Sequence, residues 1–129
     1  VAGRDAVVVG RTDAIGKPLA HMLCRRDATV TVCHTRTRDL GARTRRADLL
    51  VTAAGSPGLV DGSMVADGVV VVDVSATHVD GEVVGDVDAA SVRPKAAATT
   101  PVPGGVGPVT MAAFLDNLVT VGTAPAQSR

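Results

Sequence analysis

The fold of this chain is decided by residues 5–20, which read DAVVVGRTDAIGKPLA. A short apolar run, a glycine, a polar segment and a second glycine that opens a helical pattern predict a strand, a tight turn and a helix. Gly10 ends the strand where the backbone turns, and Gly16 stands where a side chain would hold helix and strand apart. The free N–H groups and positive dipole at such a helix start suit a phosphate. Pro18 is tolerated there because the first turn does not need its missing N–H.

The same stretch has a second interpretation. Glycines at strand-to-helix turns are common in α/β proteins that bind nothing there, and the spacing Gly10-x5-Gly16 departs from the G-x-G-x-x-G fingerprint. Taken alone, the stretch leaves dinucleotide binding and a purely structural turn both open.

Length and composition indicate one globular domain with an aliphatic core. The chain has 129 residues, is 46% hydrophobic and contains a single aromatic residue, Phe114. Abundant valine and alanine favour buried parallel strands. The formal net charge is zero, so no global field points to nucleic acid or to a membrane, and we expect neither partner.

The cysteines and histidines indicate neither a disulfide nor a metal site. The chain has two cysteines, Cys24 and Cys33, and no signal-peptide pattern or apolar run approaching the ~18 residues of a membrane span, so we expect a cytoplasmic protein with free thiols. Its three histidines are scattered, so we expect no metal.

Strand and helix patterns alternate along the chain. The expected strands are 5–9, 29–33, 48–53, 69–74 and 96–100, and the expected helices are 14–26, 39–46, 88–92 and 109–121, with a single turn at 63–65 and a hairpin within 79–87. This order predicts a Rossmann-like, doubly wound α/β fold: a mostly parallel sheet of five strands, or slightly more, with helices on both faces. We expect the domain to span residues 3–122, followed by a flexible tail at 123–129.

Four loops are expected at the carboxyl ends of the strands, where doubly wound folds bind ligands. They are 10–16, 34–38, 54–58 and 75–78. The second loop bears on the choice of cofactor, because NAD-binding domains usually carry an acidic residue there for the ribose 2′-hydroxyl. Here the segment reads CHTRTR, with no carboxylate before Asp39. Its hydroxyls and guanidinium groups, with Arg11 from the first loop, could hold a 2′-phosphate, which favours NADP; alternatively, Arg36 and Arg38 are solvated loop charges.

A proline- and glycine-rich segment precedes the last helix. Residues 101–110 read PVPGGVGPVT, a shaped loop with little side-chain bulk that lets backbone approach a flat ligand closely. This segment resembles the signature near the end of the bifunctional methylenetetrahydrofolate dehydrogenase/cyclohydrolase family. The run AVVVGRT at 6–12, with Gly16 and Pro18, is similar to that family's cofactor loop, and VVDV at 71–74 and VGDV at 84–87 follow in the family's order.

The resemblance implies a function and a set of site residues. Family members oxidise 5,10-methylenetetrahydrofolate with NADP, hydrolyse the methenyl product to 10-formyltetrahydrofolate, and usually form homodimers. By resemblance and loop position, the cofactor-binding residues are Gly10, Arg11, Thr12, Gly16, His34, Thr35, Arg36 and Ala76, with Thr35 at the 2′-phosphate. Pro103, Gly104 and Gly105 would border the folate and the nicotinamide.

The chain also departs from the family's pattern. Ser75-Ala76-Thr77 replaces the family's usual segment after the fourth strand, so Ala76 would make a smaller apolar contact. In the family, a separate N-terminal domain supplies the catalytic tyrosine and lysine. This chain has no tyrosine, and neither Lys17 nor Lys95 matches the catalytic lysine's setting. We therefore expect no catalytic residue here, and a folate substrate only together with that missing domain. The alternatives are a non-catalytic dinucleotide-binding or assembly module and a fragment of another NADP-dependent oxidoreductase.

Overall fold

The chain folds as an α/β domain in the computed structural model, which describes residues 1–123. Its strands are β1 (Asp5–Val9), β2 (Thr29–Cys33), β3 (Leu49–Thr52), β4 (Val70–Asp73), β5 (Thr77–Val79), β6 (Glu82–Val84) and β7 (Ala98–Thr99). Its helices are α1 (Gly16–Cys24), α2 (Leu40–Thr44), α3 (Ala89–Val92) and α4 (Val106–Thr123), with a 3₁₀ turn at Gly62–Met64.

Five strands form a parallel sheet in the order β2-β1-β3-β4-β7. The chain moves from β1 to β2 on one side and then returns to place β3 on the other side of β1. The strand order therefore reverses between β1 and β3, the point at which doubly wound sheets open a ligand crevice at their carboxyl ends. The predicted fold class is confirmed.

The core lies on both faces of this sheet because alternate residues of β1 point in opposite directions. Val7 and Val9 join Leu50 and Val71 in a buried cluster against which Leu40 and Met64 pack. Ala6 and Val8 belong to a second cluster with Leu23 of α1. Helical segments thus cover both faces, as the sequence predicts.

The boundaries differ from the prediction mainly at the ends of elements. The last helix begins at Val106, three residues before the predicted start, because Pro108 falls in its first turn, where no N–H is needed. The fifth strand of the sheet is reduced to Ala98–Thr99. The hairpin is found as β5 and β6, with Asp80 and Gly81 both at positive φ in the turn.

The predicted tail at 123–129 is partly outside the described residues. Thr123 is the last residue of α4, whereas residues 124–129 are not described. Within residues 1–123, no helix is both long enough and apolar enough to cross a membrane.

Candidate cofactor site

A cavity of about 410 Å³ opens at the carboxyl ends of β1, β2 and β3, at the reversal of strand order. Three of the four predicted loops line it, and the Ser75–His78 loop does not. The lining residues are Val9, Gly10, Arg11, Thr12, His34, Thr35, Thr37, Leu40, Ala53, Ala54, Ser56 and Leu59. They supply four hydroxyls, an imidazole and a guanidinium group; among these described residues there is no carboxylate. Such a lining suits a phosphorylated ligand.

The first loop is shaped by two glycines that allow close backbone approaches. Gly10 has φ +135°, and a Cβ there would collide with the carbonyl oxygen of Ala53 at the end of β3. A Cβ on Gly16 would collide with the carbonyl oxygen of Gly10. The start of α1 therefore lies directly against the end of β1, as the spacing of the two glycines predicts.

The start of α1 differs from the prediction in one respect: its N–H groups are not free. The Thr12 hydroxyl oxygen accepts hydrogen bonds from the N–H groups of Ile15 (3.3 Å) and Gly16 (3.5 Å), and the Thr12 carbonyl accepts one from Lys17 (3.1 Å). Thr12 thus caps the helix from within the chain. Within the described residues, no hydrogen bond engages the backbone N–H of Arg11 or Thr12, so the loop rather than the helix end offers donors.

A surface ion pair flanks this loop. Lys17 Nζ lies 2.6 Å from Asp13 Oδ1, and both side chains are exposed. The hydrogen bond from Lys17 and its positive charge lower the pKa of Asp13. Asp13 therefore stays ionised while Lys17 offsets its negative charge beside the cavity.

The second loop is a tight turn held by its own side chains. The Thr37 hydroxyl oxygen accepts a hydrogen bond from the His34 N–H at 2.8 Å, and the His34 carbonyl accepts one from the Thr37 N–H at 2.7 Å. His34 Nδ1 accepts a hydrogen bond from the Arg36 N–H at 3.2 Å. An accepting Nδ1 leaves the proton of neutral His34 on Nε2. The side chain can therefore offer an N–H donor.

Cys33 ends β2 directly beneath this loop. Its side chain is fully buried, and burial raises the pKa of the thiol, although a hydrogen bond with Thr37 opposes the rise. Cys24 is exposed, so the two free thiols lie in different surroundings.

The predicted site residues fall into two groups. Gly10, Arg11, Thr12, His34 and Thr35 line the cavity together. The remaining ones do not: Gly16 underlies the first loop, Arg36 is exposed on the second, Ala76 follows β4, and Pro103, Gly104 and Gly105 follow β7. The roles of all these residues stay predictions.

Sequence reasoning missed a buried pair of carboxylates behind the third loop. Asp86 is fully buried, and its carboxylate accepts hydrogen bonds from the Ser75 hydroxyl and from three consecutive N–H groups, those of residues 54, 55 and 56. Asp73 is 4% exposed, and its carboxylate accepts hydrogen bonds from the Thr52 hydroxyl and from the N–H groups of Ser75 and Val87. The segments VVDV and VGDV signal only a family resemblance, and no periodicity pairs two aspartates 13 positions apart.

Burial raises the pKa of Asp73, and hydrogen bonds from the Val87 N–H, the Thr52 hydroxyl and the Ser75 N–H oppose the rise. The nearby Asp86 carboxylate adds to it. Asp73 is therefore the carboxyl whose ionisation is penalised by folding.

Comparison with known proteins identifies the family. Residues 1–125 match the model of the tetrahydrofolate dehydrogenase/cyclohydrolase NAD(P)-binding domain. The chain belongs to the tetrahydrofolate dehydrogenase/cyclohydrolase family. It is 56% identical over 119 residues to the bifunctional protein FolD of Halothermothrix orenii and 57% identical over 128 residues to FolD 1 of Rhodococcus jostii. It covers 42% and 43% of those proteins, which cover 92% and 98% of it.

Solved structures of the tetrahydrofolate dehydrogenase/cyclohydrolase family have the same fold. The FolD enzyme of Campylobacter jejuni matches with a TM-score of 0.91 at 48% identity, over 92% of this chain and 43% of that one. The methylenetetrahydrofolate dehydrogenase-cyclohydrolase of Trypanosoma brucei, solved with NADP and an inhibitor, matches with a TM-score of 0.88 at 45% identity, over 93% and 43% of the two chains. The chain thus spans about two fifths of the length of its relatives and corresponds to the NAD(P)-binding domain of the family.

Proposed function

We propose that this chain binds NADP for a methylenetetrahydrofolate dehydrogenase/cyclohydrolase. The observation that carries the proposal is the cavity at the reversal of strand order, lined by Arg11, by hydroxyls and by no described carboxylate. Lined by Arg11 and hydroxyls, the cavity would hold NADP, which would supply the hydride acceptor for oxidation of 5,10-methylenetetrahydrofolate to the methenyl compound; hydrolysis of that product would give 10-formyltetrahydrofolate.

The first and second loops divide the work of holding the phosphates. The unengaged N–H groups of Arg11 and Thr12 suit the pyrophosphate, and the loop that offers them turns at Gly10, whose missing Cβ makes room for the Ala53 carbonyl. The 2′-phosphate would lie at Thr35, which lines the cavity together with Arg11 and is followed in the second loop by Arg36. Proximity and charge, rather than acid–base chemistry, are what these residues contribute.

We propose that the nicotinamide end lies at the loop after β7 and at Ala76, as the family resemblance implies. Pro103, Gly104 and Gly105 follow β7 and so lie at the carboxyl edge of the sheet, the edge on which the cavity opens. Ala76 follows β4 at the same edge. Small side chains at these positions would leave room for a flat ring between this domain and the folate.

The chemical steps require groups that this chain does not carry. The sequence contains no tyrosine, and its two lysines are Lys17, paired with Asp13, and Lys95, which follows α3. We propose that the acid–base residues and the folate site are supplied by the part of a family protein that does not correspond to this chain. The chain alone would then bind cofactor without turning over substrate.

Two uncovered apolar surfaces support that division. No residue of α4 is buried, and Phe114 and Leu118 are 55% and 53% exposed. Val70 of β4 is 38% exposed on a sheet face that α1 covers only near β1 and β2. We propose that the rest of a family protein, or a second subunit of a homodimer, covers these surfaces.

The test replaces Thr35 with aspartate, which puts a carboxylate where the 2′-phosphate would lie. We expect Thr35→Asp to raise the Kd for NADP at least about tenfold and to leave that for NAD within about twofold, because only NADP carries the repelled phosphate. Thr120→Asp, on exposed α4, is the matched control and should change neither Kd. Equal losses for both cofactors would contradict the assignment of the second loop.

A further inference from the structure

We infer that Asp86 is a positioning residue for the cofactor: its carboxylate holds the loop 54–56 in the shape that forms one wall of the cavity. The inference rests on the proposed cofactor site and adds to it a residue that does not line the cavity.

Three backbone N–H groups and one hydroxyl converge on the carboxylate of Asp86. Asp86 Oδ2 accepts hydrogen bonds from the N–H groups of Ala54 (2.6 Å) and Gly55 (3.2 Å), and Oδ1 accepts one from that of Ser56 (2.6 Å). The Ser75 hydroxyl donates to Oδ2 at 2.6 Å and accepts from the Gly55 N–H at 3.2 Å. Successive backbone N–H groups form an anion-binding concavity, and here a side chain of the chain itself fills it.

This arrangement requires a carboxylate rather than an isosteric amide. Both oxygens of Asp86 act as acceptors. Their donors are the N–H groups of residues 54–56 and the Ser75 hydroxyl. An asparagine offers one oxygen and would turn its NH₂ group towards backbone N–H donors. The loop would then lose at least one charge-assisted hydrogen bond and face an opposed pair of donors.

The held loop belongs to the site. Ala53, Ala54 and Ser56 line the cavity, and the Ala53 carbonyl is the atom that Gly10 must be a glycine to approach. A shift of this loop would therefore alter the part of the cavity that these residues line. It would also alter the turn at Gly10, which offers N–H groups to the pyrophosphate. The effect on the cofactor would pass through the loop, since Asp86 does not line the cavity.

The segment that carries Asp86 is also anchored by hydrogen bonds that do not involve residues 54–56. The Asp86 carbonyl accepts a hydrogen bond from the Val60 N–H at 3.0 Å, and the Val87 N–H donates to Asp73 Oδ2 at 3.0 Å. Val60 is fully buried in the core. Removing the charge of Asp86 should accordingly release the loop while the backbone around residue 86 stays in place.

The experiment compares Asp86→Asn with Asp88→Asn by calorimetric titration with NADP, at temperatures where circular dichroism shows each variant fully folded. Asp88 is the matched control, because its carboxylate also accepts a backbone N–H, that of Ala90, but caps α3 away from the cavity. We expect Asp86→Asn to raise the Kd at least tenfold and Asp88→Asn to change it less than twofold. Amide exchange should show the N–H groups of residues 54–56 losing protection only in Asp86→Asn.

The outcomes separate this inference from the proposed function. If the unsubstituted chain does not bind NADP, the proposed function fails. If it binds and folded Asp86→Asn binds equally well, the positioning role is overturned. Ser75→Ala removes the hydroxyl that bridges Asp86 and Gly55 while the carboxylate remains, and it decides the matter should Asp86→Asn not fold. A twofold to fivefold rise in Kd supports the inference, and an unchanged Kd contradicts it.

Discussion

Gly16 illustrates how a single residue links the fold to the site. Its Cα lies so close to the Gly10 carbonyl that no side chain fits between them. The same contact brings the start of α1 against the end of β1 and sets the turn that offers the N–H groups of Arg11 and Thr12. Stability and cofactor binding are therefore expected to fail together when this contact is lost.

Gly16→Ala tests that coupling. The added Cβ would meet backbone atoms, which cannot move aside as the end of a flexible side chain can, so we expect a loss of about 1–3 kcal/mol in the free energy of unfolding and weaker NADP binding. Urea unfolding and titration measure the two effects. Gly122→Ala is the control, since nothing lies within 4 Å of its added Cβ. A gain of up to about 1 kcal/mol is expected there from helix propensity. Similar behaviour of the two variants would refute the close contact.

Asp73 predicts a particular dependence of stability on pH. Because burial raises its pKa in the folded state, the folded chain holds this proton more tightly than the unfolded chain does. The stabilisation that this proton gives to the folded chain is fully present below the ordinary carboxyl pKa of about 3.9. It is lost as the pH rises through the raised pKa of Asp73 in the folded chain. Asp73→Asn removes this titration, so the stability of the unsubstituted chain relative to the variant should fall over that range. Urea unfolding of both proteins from pH 3 upwards measures it, and a difference that is constant or rises with pH would contradict the assignment.

Among the elements, α4 is the one whose sequence pattern and packing disagree. Its apolar residues at helical spacing, among them Phe114 and Leu118, are typical of an amphipathic helix, and the structure leaves both of these side chains exposed. The pattern correctly predicts the helix, but periodicity does not say which surface a helix will cover. We propose that the apolar residues of α4 are covered by the rest of a family protein or by a second subunit.

Phe114→Ser should therefore leave the isolated chain as stable as before. An exposed side chain loses little on replacement, so we expect a change within about 0.5 kcal/mol in the free energy of unfolding and weaker binding of an apolar dye. Leu50→Ala, in the fully buried centre of the sheet, should cost about 2–5 kcal/mol by the same measurement. A loss from Phe114→Ser approaching that from Leu50→Ala would mean that α4 packs on this chain.

Local signals predict most of the fold and about half of the site. The strand–turn–helix of residues 5–20 and the Asp80-Gly81 turn depend on glycine geometry and hydrophobic periodicity, which neighbouring residues determine. The links from Asp86 to loop 54–56, about 30 residues away, depend on a tertiary arrangement that no local pattern encodes. The capping of α1 by Thr12 was missed for a related reason: the sequence does not reveal whether a helix start keeps its donors free for a ligand.

For the whole molecule, the order of the parallel strands decides where function resides. The reversal between β1 and β3 opens the cavity, three loops line it, and Asp86 holds the third of them from behind. The cavity offers the Arg11 guanidinium group and four hydroxyls to phosphate and, among the described residues, no carboxylate to repel it. This chemistry suits the holding of a dinucleotide, and we propose that the reacting groups come from outside this chain.

The central claim is that this chain holds NADP by itself and selects it through the 2′-phosphate. Calorimetric titration of the chain with NADP and with NAD tests it most directly. We predict one site per chain and a Kd for NADP at least about tenfold below that for NAD, a difference of about 1.4 kcal/mol. Equal affinities for the two cofactors, or no measurable binding of NADP, would contradict the account.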